Sequence, residues 1–393
     1  MLKSINLLSV LFLLLFTNAC ADKNGNEVDP MEEVIPAKYD PSKFVMGVDL
    51  SYVNAVEDAG GVYKDENGQV VDPFVYLQKK GANLVRVRLW HTPSWQIPLH
   101  GAIKYSHLAD VSKTIKRAKA AGMQVNLDLH YSDDWADPQK QQTPKAWQGL
   151  SLKLLQDSIY NYTKQVLESL ASQNLTPEYI QVGNENNGGM CFPVGQISNN
   201  NYTNFASLLK SGIKAVRDFS QTATIKPKII LHVAQLQNAE WWANGVVNNG
   251  GVTDFDILGL SHYFIWSEIN NNNGVKTTIA NLKFKYKKEV MIVETAYPFT
   301  SDSNDNYGNI ISGQTGAPNY EVSTTGQLNY MKDLCQAVID GGGKGVMYWE
   351  PAWITSTMKD QWGVGSSWEN NAFFDYSSKG LPVLDYLTFP YKF

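Results

Sequence analysis

From about residue 44 onward, short apolar runs alternate with longer stretches of helical period. The runs are Val45–Leu50, Leu84–Trp90, Gln124–His130, Tyr179–Val182, Lys228–Val233, Phe255–Ser261, Val290–Val293 and Gly345–Trp349. Between them lie amphipathic segments. Leu152, Leu155, Ile159, Tyr162, Val166 and Leu170 step by threes and fours, as do Leu328, Met331, Leu334 and Val338, with Ile339 one step further. Gly122 and Gly341 stand where two of these helices should stop. Strand–helix alternation implies a parallel sheet. Eight such units predict an α/β fold, a closed (β/α)8 TIM barrel with enlarged loops forming a single catalytic domain over residues 44–393. An open doubly wound sheet is the competing arrangement. It needs a glycine-rich phosphate turn after the first strand, and Asp49-Leu50-Ser51-Tyr52 is not one.

Polar residues gather just after the predicted strands. His130-Tyr131-Ser132-Asp133-Asp134-Trp135 follows the third, His262-Tyr263 the sixth, and Glu350-Pro351 with Trp353 the eighth. That one-ended enrichment marks the face on which a barrel presents its chemistry. Two glutamates stand out there. Glu185 ends Gln181-Val182-Gly183-Asn184-Glu185 on strand four, and Glu294 follows Val290-Met291-Ile292-Val293 on strand seven. Strands four and seven face each other across a barrel mouth. Paired carboxylates flanking a sugar bond are the working parts of most glycoside hydrolases, and about 5–5.5 Å between them gives retention. The plainer alternative is two strand-end acids capping the next helices. Asn184 places an amide where it could bond a sugar 2-hydroxyl. Arg86 and Arg88 share one face of strand two, because the strand period is two. An inward arginine beside Glu294 keeps that carboxylate ionised, a role expected of Arg88; a structural ion pair in the barrel is the alternative for both arginines. His130 and His262 stand at strand ends, as sugar contacts or as barrel-rim histidines. With neither an HExxH motif nor a Cys/His cluster, no catalytic metal or organic cofactor is implied.

Composition narrows the partners. A formal net charge of -5 and the lack of a Lys/Arg cluster argue against nucleic acid. The 11 tryptophans suit stacking on neutral sugars, although any one of them can simply be core. The N-terminus is set apart from the fold. Lys3, then the apolar run Leu7 to Phe16 broken only by Ser9, is too short to span a bilayer and reads as a signal peptide over residues 1–19. Ala19-Cys20 resembles the processing site of bacterial lipoproteins, with Cys20 carrying the lipid and Thr17-Asn18 departing from the commonest form. Residues 20–43, acidic and interrupted by Pro30, Pro36 and Pro41, read as a flexible tether. A cell-surface or periplasmic bacterial lipoprotein is therefore expected, with simple secretion as the alternative; the membrane is met only through the lipid. Cys191 and Cys335 fall in different layers, so no disulfide is expected.

Several segments together resemble glycoside hydrolase family 53. The longest is Asp128-Leu129-His130-Tyr131-Ser132-Asp133-Asp134-Trp135-Ala136-Asp137-Pro138, continuing through Gln142, Pro144, Ala146 and Trp147. Gly47-Val48-Asp49-Leu50-Ser51, Val85-Arg86-Val87-Arg88-Leu89-Trp90, Gln181 to Glu185, and Glu294-Thr295-Ala296-Tyr297-Pro298 agree in order and spacing. The resemblance covers residues 44 to 388. It implies a monomeric, retaining arabinogalactan endo-β-1,4-galactanase acting on the galactan side chains of pectin. By position it implies Glu185 as acid/base and Glu294 as nucleophile. Asn184, Arg88, His130, His262, Tyr263, Trp349, Asp49 and Trp90 are then expected at the substrate. It also implies a structural calcium ion between the seventh and eighth loops, held by Asp305, the Tyr307 carbonyl, Asn309, Ser366 and Glu369. Ser303 and Tyr307 depart from that motif, where an aspartate and a histidine are expected. The alternatives are a related β-glycanase (mannanase, xylanase or cellulase), distinguished only by its subsites, and a surface lipoprotein that binds glycan without cutting it.

Overall fold

The eight apolar runs form eight strands: β1 (Val45–Asp49), β2 (Leu84–Leu89), β3 (Gln124–Leu129), β4 (Tyr179–Val182), β5 (Lys228–Ala234), β6 (Ile257–Ser261), β7 (Glu289–Glu294) and β8 (Gly345–Tyr348). Each pairs in parallel with its sequence neighbours. β8 returns to β1 with Val45 opposite Gly345, so the sheet closes and leaves no edge. This computed structural model describes residues 38–313 and 315–393. The expected signal peptide, Cys20 and the tether up to residue 37 lie outside the described residues.

Helices α1 (Pro73–Lys79), α2 (Leu108–Ala120), α3 (Leu152–Ala171), α4 (Thr203–Ser220), α5 (Leu236–Asn244), α6 (Asn272–Tyr286) and α7 (Thr324–Asp340) follow β1 to β7 in turn. The predicted stripe on α3 is the packed one: Leu155, Ile159, Val166 and Leu170 are buried. α7 starts where the Ser323 hydroxyl accepts the Gly326 N–H at 3.0 Å, and it stops at Gly341, followed by Gly342 in the left-handed region. After β8 the place of an eighth α-helix is taken by a 3-10 segment, Pro382–Thr388, packed against α7. A short hairpin, Gly189–Met190 with Gly195–Gln196, was not foreseen. Residues 38–43, assigned to the tether from sequence, are joined to the domain: Asn83 Nδ2 donates to the Tyr39 carbonyl at 2.9 Å, and the Tyr39 ring meets Tyr391 and Phe393.

Strand alternation divides the residues into two apolar layers. Val45, Leu84, Tyr179, Ile230, Ile257, Met291, Val293 and Met347 cluster as the barrel floor. Their neighbours, such as Val85, Leu127 and Ile229, join the larger core with helix residues Ile115, Leu155 and Leu209. Two residues further along the inward faces, the chain turns polar: Leu84 is followed by Arg86 and Arg88, Tyr179 by Gln181, Ile230 by His232, and Ile257 by Gly259 and Ser261. Gly259 is required by space, since a Cβ there would lie 2.7 Å from Ile230 Cγ2. Just past the strands, Tyr131 (φ 49°), Glu185 (φ 44°), Gln235 (φ 66°) and Glu350 (φ 47°) adopt left-handed backbone without being glycine. Such strain gathers where side chains must be aimed rather than merely packed.

Candidate active site

Glu185 and Glu294 line one cleft of about 840 Å³ together with Arg86, Arg88, His130, Asn184, Tyr263 and Trp349. Both acids are held, but by different partners. Glu294, 6% exposed, receives Arg86 Nη2 on Oε1 at 2.7 Å and the Tyr263 hydroxyl on Oε2 at 2.9 Å. Among the described residues, Glu185 receives only the Ser261 hydroxyl, on Oε1 at 2.6 Å. Burial pushes both carboxyls up. For Glu294 the Arg86 guanidinium is the main opposing influence, helped by Tyr263. For Glu185 the negative Glu294 adds to the rise, and Ser261 offsets only part of it, so it goes well above the usual carboxylate range. Glu294 is therefore the acid that ionises first, and Glu185 the one that keeps its proton.

The arginines exchange their expected roles. Arg88 does not reach Glu294; its Nη1 pairs with Glu350 Oε1 at 2.7 Å. Arg86, one inward step deeper, bridges Asp49, Asp128 and Glu294, each at 2.7 Å. The period of the strand fixes the face but not the depth, and depth decides which arginine meets the nucleophile. Arg88 still lines the cleft, packed over the rings of Tyr52 and Trp135 at 4.0 and 4.3 Å, with Nε and Nη2 lacking a protein partner. Asn184 Oδ1 accepts from Arg86 and Gln181, and Nδ2 donates to the Ala136 carbonyl, which leaves one amide hydrogen for a ligand.

Three expected substrate contacts stand behind the cleft wall rather than in it. Asp49 is fully buried against Arg86. Trp90 is 1% exposed, and its Nε1 donates to His130 Nδ1 at 3.3 Å. His262 is buried, as the alternation along β6 requires: Ile257, Gly259 and Ser261 face inward and His262 points away from the mouth. An irregularity in the pairing with β7, Leu260 opposite Ile292 but Ser261 opposite Glu294, seats the extra residue Val293 on β7 and brings Glu294 beside Ser261. Sequence reasoning missed Ser261 and also His232, whose only signal was an inward position one step above Ile230.

The sequence profile of glycosyl hydrolase family 53 matches residues 45–387. The chain belongs to glycosyl hydrolase family 53. It is similar to the arabinogalactan endo-beta-1,4-galactanase of Cellvibrio japonicus (strain Ueda107), 45% identical over 353 residues that make up 89% of this chain and 91% of that protein. The endo-beta-1,4-galactanase of Bacillus subtilis (strain 168) is 34% identical over 382 residues, 87% of this chain and 84% of that one. The Ignisphaera aggregans GH53 catalytic domain superposes with a TM-score of 0.80 at 33% identity, over 91% of this chain and 99% of that structure. As a family 53 member the protein is a glycosidase.

The family 53 cleft is rich in tryptophan. Trp135, Trp349 and Trp353 line it, whereas Trp90, expected at the substrate, and Trp95 do not. Trp266 and Trp362, 46% and 47% exposed, line it as well; they sit on long loops whose course no periodicity reveals.

The residues that the family 53 resemblance implies for calcium lie on the two loops and are tied together by hydrogen bonds. Asp305 accepts the Tyr307 N–H on Oδ1 and the Ser366 N–H on Oδ2, at 2.7 and 2.8 Å. Glu369 accepts the Asp305 N–H at 3.2 Å, and also bonds the Asn304 N–H and the Thr355 hydroxyl. Ser366 Oγ donates to the Trp353 carbonyl at 2.6 Å. Asn309 Oδ1 is the one side-chain oxygen of the set that is buried without a partner. Calcium takes six to eight oxygens. Among the described residues no three His, Cys, Asp or Glu converge on a metal position.

Proposed function

We propose that this family 53 glycosidase is a retaining endo-β-1,4-galactanase, with Glu294 as nucleophile and Glu185 as acid/base. The observation that carries the assignment is the asymmetry of the two acids in one cleft. Glu294, held by Arg86 and Tyr263, is the charged one, suited to attack the anomeric carbon. Glu185, with a single hydroxyl donor, keeps the proton that the leaving sugar oxygen needs. In the first step Glu294 forms a glycosyl ester while Glu185 protonates the departing O4. In the second, Glu185 as a carboxylate takes a proton from water, which attacks the ester and restores Glu294. Asn184 is suited to the 2-hydroxyl, and the uncommitted N–H groups of Arg88 to other hydroxyls of the same sugar. A binding protein that does not cut needs no such division of protonation states.

The choice of galactan rests on the named relatives. Galactose carries an axial O4, the linking oxygen in β-1,4-galactan, so the chain bends at each residue and fits a curved groove rather than a straight one. Buried polar groups placed for the axial oxygen reject an epimer that leaves them unpaired. The proposal extends to location: a signal peptide over residues 1–19 and a lipid on Cys20 would hold a monomeric enzyme at a bacterial membrane. The test of the activity is a product profile on linear β-1,4-galactan, mannan, xylan and cellulose. Short galacto-oligosaccharides from galactan alone are expected. Comparable rates on mannan, or galactose alone from the first minutes, overturn the endo-galactanase reading.

A further inference from the structure

The Glu185 backbone and head are held by two linked side chains, His232 and Ser261, that the two-carboxylate mechanism does not use. His232 lies on β5, fully buried. The Glu185 backbone N–H points at its Nδ1 at 3.3 Å, and Gln181 Nε2 at 3.0 Å. Asn184 Oδ1 also lies 3.0 Å away, but it already accepts two N–H groups. Two donors converging on Nδ1 leave that nitrogen bare and put the ring hydrogen on Nε2. Nε2 is 2.8 Å from Ser261 Oγ, whose own hydrogen goes to Glu185 Oε1 at 2.6 Å.

We propose that His232 and Ser261 form a positioning relay for the acid/base, with the imidazole fixing the left-handed backbone of Glu185 and, through the Ser261 hydroxyl, the face of its carboxyl that carries the proton. The relay rests on the reading of Glu185 as the acid. Because Ser261 donates to Oε1, the proton of the resting acid sits on Oε2, the oxygen left for substrate. Two features outside the hydrogen bonds agree. Glu185 is a non-glycine residue at φ 44°, a conformation that needs an external hold. Alternation from Ile257 and Gly259 points Ser261 into the mouth, and the extra β7 residue at the Leu260/Ser261 register break sets it opposite Glu294. Burial, then the positive charge of Arg86, keep His232 well below its usual range, so it stays neutral. A proton on Nδ1 would oppose both N–H groups there.

The groups bearing on Glu185 are Glu294 from β7, Asp137 from the loop after β3, Arg86 from β2, Tyr263 after β6, and the relay itself. Of these, Ser261 is the uncharged group that bonds the Glu185 carboxyl directly, so its removal leaves every charge in place. Ser261→Ala deletes a donor that favours the ionised form, so the Glu185 pKa should rise. The basic limb of kcat/KM on galactan is expected to move up by about one pH unit, the worth of one hydrogen bond to a charged group. On galactan kcat should fall about tenfold with KM little changed, and an activated aryl galactoside should lose less, because it needs less protonation. An unmoved basic limb in a variant with wild-type circular dichroism overturns the relay. Glu185→Ala run alongside separates the two ideas. If it keeps its activity on galactan, the acid assignment itself fails; if it is inactive while Ser261→Ala titrates like wild type, only the relay fails. A second measurement needs no variant. The imidazole ¹⁵N shifts of His232 should report the neutral Nε2–H tautomer across the active pH range, and an Nδ1–H or charged ring there contradicts the proposal.

Discussion

Tyr263→Phe isolates what holds the nucleophile ionised. The hydroxyl donates to Glu294 Oε2 at 2.9 Å, and burial holds the phenol well above its usual range, so it is a neutral donor at every working pH. Phenylalanine keeps the ring, its packing against Trp266 and Trp368, and the Arg86 ion pair to Oε1; only the hydrogen bond is lost. The bond favours the carboxylate over the acid, so losing it raises the Glu294 pKa. Glu294 must be ionised to attack, so the acid limb of the pH–rate profile moves toward higher pH. A hydrogen bond to a charged group contributes about 1.5–3 kcal/mol, and one pKa unit is about 1.4 kcal/mol, so a shift of about one to two units is expected. Because the two acids titrate together, the limb belongs to the pair, but its direction follows from the Glu294 contact. The assay is kcat/KM on linear galactan, measured in steps of half a pH unit or finer, for wild type and variant. An acid limb that stays in place, or moves to lower pH, refutes the account of how Glu294 is kept charged.

Other outcomes follow from the same geometry. Glu185→Ala should lower the rate on galactan by about 10²–10⁴-fold while an aryl galactoside with a good leaving group loses far less, measured as the ratio of the two rates. Because hydrogen bonds from backbone N–H groups occupy Asp305 and Glu369, chelator should leave the melting temperature unchanged; a drop reversed by added calcium would favour the calcium reading. Cys20→Ala should move the enzyme from the membrane fraction to the soluble one, checked by fractionating expressing cells; wild-type protein found wholly soluble would favour simple secretion.

The barrel was legible because its inward and outward residues are both apolar at the floor, which made all eight strands visible as short runs flanked by helical period. Glu185 and Glu294 were legible because each is the first acid past such a run. What the sequence hid depends on register and depth. Arg86 and Arg88 share a face, and only the closed sheet shows that the deeper one reaches Glu294. His262 looked like the mouth residue of β6, but alternation from Ile257 and Gly259 gives that place to Ser261, and an extra residue on β7 sets it opposite Glu294. Trp266 and Trp362 lie on loops, where no period reports direction. Asp305 and Glu369, singled out by the family resemblance as calcium ligands, accept backbone N–H groups across the two loops, contacts that only the folded loops reveal.

The central claim is that Glu294 forms a covalent bond to the sugar during turnover. The direct measurement is mass analysis of peptides after the enzyme is inactivated with a 2-deoxy-2-fluoro galactoside bearing an activated leaving group. The account predicts one sugar per chain, attached to the peptide that contains Glu294. A label on any other residue, or full turnover of the probe with no adduct, contradicts it.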